Sequence, residues 1–437
     1  MHRLSRLAEK VFVVLTLFFS TSALIPILIE KEDSVDASQD PYTPILFMGV
    51  YVVTLFLVIK NRKSFLYVAQ KDIWIWLLVG IALASVLWTV APDLTLRRGV
   101  LLLGTTGFGV YLATRYTMRE QLELLAWMFG LIILLSFVFA IALPSYGLMT
   151  FQEEGAHAGA WRGVIAHKNH LGRLMNVSTI VFLLLCVDNS LYQQKSQQKY
   201  KWILWVGFVL SAILIILSTS KTAFVVFLSL TTILQLYKAL RGNYNQVIPS
   251  VLTVILLVGS IAILLLDNLP VIATALGRDL TLTGRTDIWG VMFELIWERP
   301  LLGYGFNAVW QSWDNEVTAY LWRTLEWQCP YGHNGFMDLL AELGIVGLIV
   351  FCISYVTACI RGVMWLRATK VVEGLWPLMY LTFLFLSNVT ESTLVATNSI
   401  FWILYISIIF STAVEYEQAK KYNYYLSVMA DEEGRIN

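Results

Sequence analysis

Charge is scarce in this sequence. Of 437 residues only 14% are Asp, Glu, Lys or Arg, against about a quarter in soluble domains, and 57% are apolar. A soluble chain of that composition would lack the polar surface to cover itself. Mean hydropathy is +0.67. Acids and bases nearly cancel, leaving a net charge of +1, so no nucleic-acid partner is expected. Cysteine is limited to four residues. Cys186, Cys352 and Cys359 lie in apolar runs and read as small packing residues. Cys329 alone falls in a candidate exterior loop, so no structural disulfide is expected. There is no P-loop, no nucleotide-binding glycine fingerprint, no HExxH and no paired-cysteine metal motif. His167 and His170 stand three apart without a nearby carboxylate to complete a ligand set, so no metal is expected. No cleavable leader is expected either. The first apolar run follows Arg3, Arg6 and Lys10 but lacks a small-residue cleavage site, and it reads as a first span. The sequence shows no internal repeat and no low-complexity segment.

What is abundant is apolar runs long enough to cross a bilayer, about 17–25 residues each. Spans are predicted at 11–29, 44–60, 73–90, 99–114, 122–143, 170–187, 202–217, 222–240, 247–267, 334–360, 372–390 and 394–414. The polar step Ser218-Thr219-Ser220-Lys221 either separates two spans or breaks one bent helix. The expected fold is all-α: a polytopic transmembrane helical bundle of about 12 spans. One large exterior loop with short amphipathic helices interrupts it. The chain divides into 1–267, an N-terminal transmembrane bundle; 268–333, the large loop; 334–414, C-terminal transmembrane helices; and 415–437, a polar, solvated cytoplasmic tail. Sixteen tryptophans suit a chain with many membrane interfaces.

Lysine and arginine set the orientation. With the N-terminus inside, the interior segments carry Arg3, Arg6 and Lys10; Lys60, Arg62, Lys63 and Lys71; Arg115 and Arg119; and Lys195, Lys199 and Lys201. They continue with Lys238 and Arg241; Arg361, Arg367 and Lys370; and Lys420, Lys421 and Arg435. That is 20 of 31 cations, whereas the first exterior loop is acidic. Both termini are therefore expected in the cytoplasm of a bacterial cell. The remaining cations concentrate in two exterior segments, about 144–173 and 268–333. In the second, Ile288, Trp289, Met292, Leu295 and Ile296 fall at helical spacing, which predicts an amphipathic helix from Arg285 to Glu298 before Pro300.

Four clusters stand out. The first is the stretch Trp161 to Arg173, with Arg162, His167, Lys168, Asn169 and His170. It reads as interfacial anchoring or as a ligand site. The second, Ser218 to Thr222, is a polar turn with one snorkelling lysine, or a broken helix that holds Lys221 near an anion. In the third, Thr283-Gly284-Arg285-Thr286-Asp287-Ile288-Trp289, Thr283 or Gly284 can cap the helix. Arg285 then either builds an anion site or pairs with Asp287 or a lipid phosphate. The fourth is Tyr331-Gly332-His333-Asn334-Gly335-Phe336, followed by Asp338 and Glu342. There His333 is a general base at the membrane edge or a helix-start histidine bonded to backbone.

Taken together, the clusters resemble the superfamily of O-antigen ligases and O-antigen and exopolysaccharide polymerases. The likeness runs from about Arg162 to Gly347 and rests on "GRTDIW…ERPLLGYGFNAVW…HNGFMDLLAELGIVG". The earlier "HKNHLGRLM" resembles the exopolysaccharide branch. The resemblance implies a metal-independent glycosyltransferase of the bacterial inner membrane whose site faces the periplasm. Such an enzyme transfers a glycan from a polyprenyl pyrophosphate carrier to an acceptor sugar hydroxyl and needs no cofactor. Arg285 and His333 match the family's arginine and histidine. Lys221 stands where many members have arginine. The implied catalytic residues are His333, Arg285 and Lys221. Arg162, His167, Lys168, Asn169, Asn334 and Trp289 are the implied pyrophosphate- and sugar-binding residues, with Trp310, Trp313, Trp322 and Trp327 stacking on sugars. Implied partners are the lipid-linked oligosaccharide donor, a glycan acceptor and membrane lipids, together with a chain-length regulator and a flippase. Ligation onto a lipid A-core or protein acceptor is the alternative within the class. Transport of small anions is the alternative outside it.

Overall fold

Helix dominates because a backbone in lipid must satisfy its polar groups within its own segment. The computed structural model describes residues 2–24, 42–150, 158–187, 201–241, 285–369 and 371–436. Among these, regular structure is helical apart from one isolated bridge between Leu148 and Trp161. The helices are α1 (His2–Phe19), α2 (Tyr42–Lys60), α3 (Arg62–Ala69), α4 (Ile73–Ala84), α5 (Pro92–Arg115), α6 (Met118–Ala142) and α7 (Lys168–Val187). They continue with α8 (Lys201–Leu217), α9 (Lys221–Leu240), α10 (Arg285–Glu298), α11 (Glu316–Leu325), α12 (Gly335–Ala368), α13 (Trp376–Asn388) and α14 (Ile400–Ile436).

Local sequence explains many of the starts. Thr117 and Glu120 form a reciprocal capping box on α6, Asp72 caps α4, Ser220 caps α9, and Asn334 caps α12. Pro92 opens α5, where a missing N–H costs nothing. α7 is buried almost throughout and lies in the main apolar core, with α8, α6, α13 and α9 packed around it.

Five described helices are long and apolar enough to cross a membrane: α6, α7, α9, α12 and the Ile400–Tyr425 part of α14. α2 and α3 add a sixth crossing if the pair, bent by 100°, is one broken span. Two shorter apolar helices cover Ile73–Leu87 and Lys201–Leu217. The protein is a multi-pass membrane protein. The predicted span 247–267 lies outside the described residues, as do residues 25–29 of the first.

Several boundaries move. The polar tail expected to be a short solvated end is helical, continuing α14 to Ile436, because residues from Glu415 to Lys421 are mostly good helix formers. The span expected at 334–360 extends to Ala368 and is broken at Gly344. Ser218–Lys221 is a true separator: α8 stops at Leu217, Thr219 takes a left-handed φ of 52°, and α9 starts afresh.

The Gly344 break has a clear cause. Gly344 sits at φ 64° and ψ −170°, a conformation essentially reserved for glycine. A Cβ there would lie 2.2 Å from the Leu301 carbonyl oxygen. The segment 300–305 threads into the opening. The N–H of Ile345 donates to Pro300 O (2.8 Å), Tyr304 N–H to Ala341 O (2.9 Å) and Gly305 N–H to Glu342 O (2.9 Å). The backbone groups freed by the break are thus answered by another part of the chain. α10, α11 and the first turns of α12 share a second apolar core of Ile288, Met292, Leu295, Leu321, Trp322 and Ala341. The sequence-predicted amphipathic helix is found from Arg285, the first described residue of this part of the chain, to the expected end at Glu298.

Polar contacts segregate to two ends of the bundle. At one end Arg115 pairs with Glu9 (2.6 Å), Arg361 with Asp72 (2.7 Å), and Glu415 accepts from the Met118 N–H (2.6 Å). The candidate site lies at the other.

Candidate functional site

The site is built where helices begin. Residues 161–169 lead into α7, the Ser218–Ser220 turn into α9, and Tyr331–Asn334 into α12. A helix start presents unpaired N–H groups and the positive end of the helix dipole, so such a neighbourhood favours anions. The α9 turn is held against α7: Asn176 Nδ2 donates to Ala223 O (2.9 Å), and Trp161 N–H donates to Leu217 O (3.0 Å).

His333 has a φ of 51°, a left-handed conformation costing on the order of 1–3 kcal/mol in a non-glycine residue. Its surroundings fix that conformation. Asp338, one turn into α12, accepts from Gly332 N–H (3.1 Å) and from Trp310 Nε1 (2.8 Å). Trp289 Nε1 donates to Gly332 O (2.9 Å), and the Cys329 thiol donates to Tyr331 O (3.0 Å). Asn334 accepts from the Phe336 and Met337 N–H groups and donates to Val389 O (3.3 Å). Gly335 comes so close to the loop after α13 that a Cβ would meet Asn388 Oδ1 at 2.2 Å. The sequence His333-Asn334-Gly335 is therefore imidazole, helix cap and close approach in succession.

The centre of the cluster is a residue that sequence reading did not single out. Glu391, in the loop between α13 and α14, is 1% exposed. Its carboxylate lies 3.7 Å from Arg285 Nη2 and 3.8 Å from Arg173 Nη2. It accepts from Tyr331 Oη (3.2 Å) and Asn169 Nδ2 (3.4 Å), while its backbone carbonyl accepts the Gly335 N–H (3.0 Å). Three distant segments, the starts of α7, α10 and α12, thus converge on one buried acid. Arg285 pairs with this acid rather than with Asp287, which is exposed. The caps proposed at Thr283 and Gly284 lie outside the described residues.

Burial holds the His333 imidazole down to about 4, the adjacent Glu391 opposing this and Arg285, Arg173 and His167 reinforcing it. His333 is thus neutral at pH 7, and its Nδ1 is buried without a hydrogen-bond partner among the described residues. The Tyr331 ring lies 4.2 Å from the His333 ring, centroid to centroid. Burial and the Glu391 charge push the Tyr331 phenol up, so it stays a donor.

The other predicted residues divide. His167 and Asn169 belong to the cluster, and His167 Nδ1 accepts the Asn169 N–H (3.2 Å). Lys168 is 4% exposed at the start of α7. Lys221 is exposed at the start of α9. Arg162 donates to the carbonyls of Tyr146 (2.8 Å) and Ser145 (3.2 Å), which anchors the turn at Pro144–Gly147. Trp289 and Asn334 position the His333 loop, as described. Of the tryptophans expected to stack on sugars, Trp322 is buried in the loop core with its Nε1 on Cys329 O, and Trp310 is held by Asp338. Trp313 and Trp327 remain exposed.

Residues 206–352 match the O-antigen ligase family. Over 322 residues, 71% of this chain and 70% of the relative, the chain is 25% identical to the exopolysaccharide production protein ExoQ of Rhizobium meliloti (strain 1021). Both matches support a place in the O-antigen ligase and ExoQ superfamily. The O-antigen ligase match runs from α8 to the middle of α12 and contains Lys221, Arg285 and His333. It stops short of Asn169 and Arg173 on one side and of Glu391 on the other. What could have exposed Glu391 in the sequence is the run Ser387-Asn388-Val389-Thr390-Glu391-Ser392, a polar island between two apolar stretches.

Proposed function

We propose that this protein is a membrane glycosyltransferase that extends or attaches polyprenyl-pyrophosphate-linked oligosaccharide during cell-surface polysaccharide synthesis. Similarity to the O-antigen ligase family and to ExoQ supports an enzyme of this pathway class. The observation that carries the reading is the meeting of Arg285 and a neutral, part-buried His333 at one buried carboxylate, beside helix starts.

In this reading the acceptor hydroxyl attacks the anomeric carbon of the donor glycan. The hydroxyl proton passes to the free His333 nitrogen. The anomeric C–O bond breaks, and its electron pair leaves with the polyprenyl pyrophosphate. Arg285 faces the charge that develops there, in surroundings where water is partly excluded, and Lys221 adds a point charge from the neighbouring helix start. The pyrophosphate also brings negative charge beside His333 and raises its proton affinity toward the range useful to a base. Attack opposite the leaving group inverts the anomeric centre. The site faces the periplasm, on the side away from the lysine- and arginine-rich segments.

Similarity to an exopolysaccharide production protein supports a role in making exopolysaccharide, which we read as polymerisation, and the O-antigen ligase match supports ligation as the second reading. Purified protein in nanodiscs, given only lipid-linked repeat units, separates them. A polymerase yields a ladder of lipid-linked oligomers. A ligase yields product only when a distinct acceptor is added. Absence of any transfer with either acceptor, alongside uptake of small anions into vesicles, would replace the enzyme reading with transport.

A further inference from the structure

Arg173 closes the basic stretch at the start of α7 and lies outside the family match. It is 9% exposed, and its guanidinium lies over the Phe401 ring at 5.7 Å. Its Nε and Nη1 are buried without a hydrogen-bond partner among the described residues. Its charge partner is Glu391, at 3.8 Å through Nη2. Arg285 stands in the same relation to the other oxygen of that carboxylate, at 3.7 Å. Both separations are ion-pair distances too long for hydrogen bonds. The hydrogen bonds of Glu391 go instead to Tyr331 and Asn169, at 3.2 and 3.4 Å.

Two guanidiniums against one carboxylate leave a surplus positive charge. They also leave buried donors of Arg173 that Glu391 does not satisfy. Unsatisfied buried donors are costly, and native proteins keep few of them. The imidazole of His333, whose Nδ1 is also buried without a partner among the described residues, lies within electrostatic reach of the same carboxylate. An anion with several acceptor oxygens and more than one negative charge would answer the surplus charge and the open donors together. A phosphate or pyrophosphate group has that chemistry, and guanidinium forks match it in geometry.

We propose that Arg173 binds a phosphate of the same ligand as Arg285, and that Glu391 is a resident counter-ion which releases both arginines when that ligand enters. The proposal rests on the donor reading given above. In the empty site Glu391 keeps two buried cations from lying unpaired. With the ligand bound, Glu391 retains Tyr331 and Asn169 and the arginines turn to phosphate.

The test is equilibrium binding of polyprenyl pyrophosphate to the full chain in phosphatidylcholine nanodiscs. Inorganic pyrophosphate and phosphatidylglycerol serve as separate competitors. Arg173→Ala is expected to weaken binding about 10- to 100-fold, and Arg173→Lys to recover part of it, since lysine supplies charge without the fork. Glu391→Gln is the discriminating variant. It keeps the size and one acceptor but removes the competing charge, so binding should tighten several-fold. The double variant Arg173→Ala/Glu391→Gln leaves no uncompensated buried acid and keeps the test open if Arg173→Ala alone misfolds. It should bind more weakly than Glu391→Gln by a similar factor. Competition by inorganic pyrophosphate alone assigns the recognition to the pyrophosphate group. Equal competition by phosphatidylglycerol would make the site a general lipid-phosphate site and overturn its assignment to the donor. If Arg285→Ala loses binding while Arg173→Ala and the double variant do not, this proposal fails and the donor reading survives. If Glu391→Gln weakens binding, the acid holds the arginines in place and is not a competitor. Failure of the unaltered protein to bind polyprenyl pyrophosphate would sink the donor reading itself.

Discussion

In the proposed mechanism His333 is the base, and its environment makes a specific statement about pH. A base works in its neutral form, so activity is lost as pH falls through its pKa. Because burial depresses the imidazole to about 4, kcat/KM should stay flat from neutrality down to about pH 5 and decline below that. The limb in kcat should lie higher, since bound pyrophosphate adds negative charge beside the ring. His333→Ala should lower turnover by about 10²–10⁴-fold and lose the acid limb, with donor binding nearly unchanged. His333→Gln keeps a hydrogen-bonding group but not the base, and full activity in that variant would reduce His333 to a structural part. Arg285→Ala should cost roughly 30- to 1000-fold in transfer rate, with Arg285→Lys intermediate, as read from initial rates of a well-folded protein. Both residues were legible in the sequence because each opens or precedes a helix within a recognisable string. Glu391 was not. A single acid in a three-residue gap between two predicted spans reads as a connector, and only tertiary contact shows what it meets. Arg173 was hidden differently, as one cation among several in a basic stretch.

At the scale of elements, α10 was readable from its apolar spacing, and its end from the proline that follows it. The turn before α9 was readable from four consecutive polar residues. The break in α12 was not. Leu343-Gly344-Ile345-Val346-Gly347 reads as uninterrupted apolar helix, and the interruption comes from the backbone of 300–305, a determinant no local pattern contains. Gly344→Ala should therefore be severely destabilising. It would force a side chain into a glycine-only conformation and against Leu301 O. A marked loss of folded yield and a lower thermal midpoint in detergent are expected. Gly49→Ala, at a helical site with nothing within 4 Å of the new Cβ, should behave like the parent or slightly better. Equal midpoints for the two variants would show that the break is dispensable.

For the whole molecule, the question is which way the two polar ends face. A cysteine at Asp314, an exposed residue just before α11, should react with a membrane-impermeant maleimide in intact spheroplasts. A cysteine at Tyr424, near the far end of α14, should react only after permeabilisation. The reverse pattern would turn the protein over and move the site to the cytoplasm. The cation bias made this end-to-end division visible in advance, since it depends on summed charge rather than on contacts. Span lengths were less secure, because helices that shelter against others can be shorter or more polar than lipid alone would permit. The threaded segment at 300–305 also bears on how the protein is made. Synthesis runs from the N-terminus, so this strap is complete before the helix it enters has been translated. Ala341, Glu342 and Ile345 then find their backbone partners waiting, whereas the reverse order would leave open carbonyls and amides in lipid until a later segment arrived. A ribosome-stalled chain long enough for α12 to have left the exit tunnel should already protect the strap from protease, and one with α12 still inside the tunnel should not.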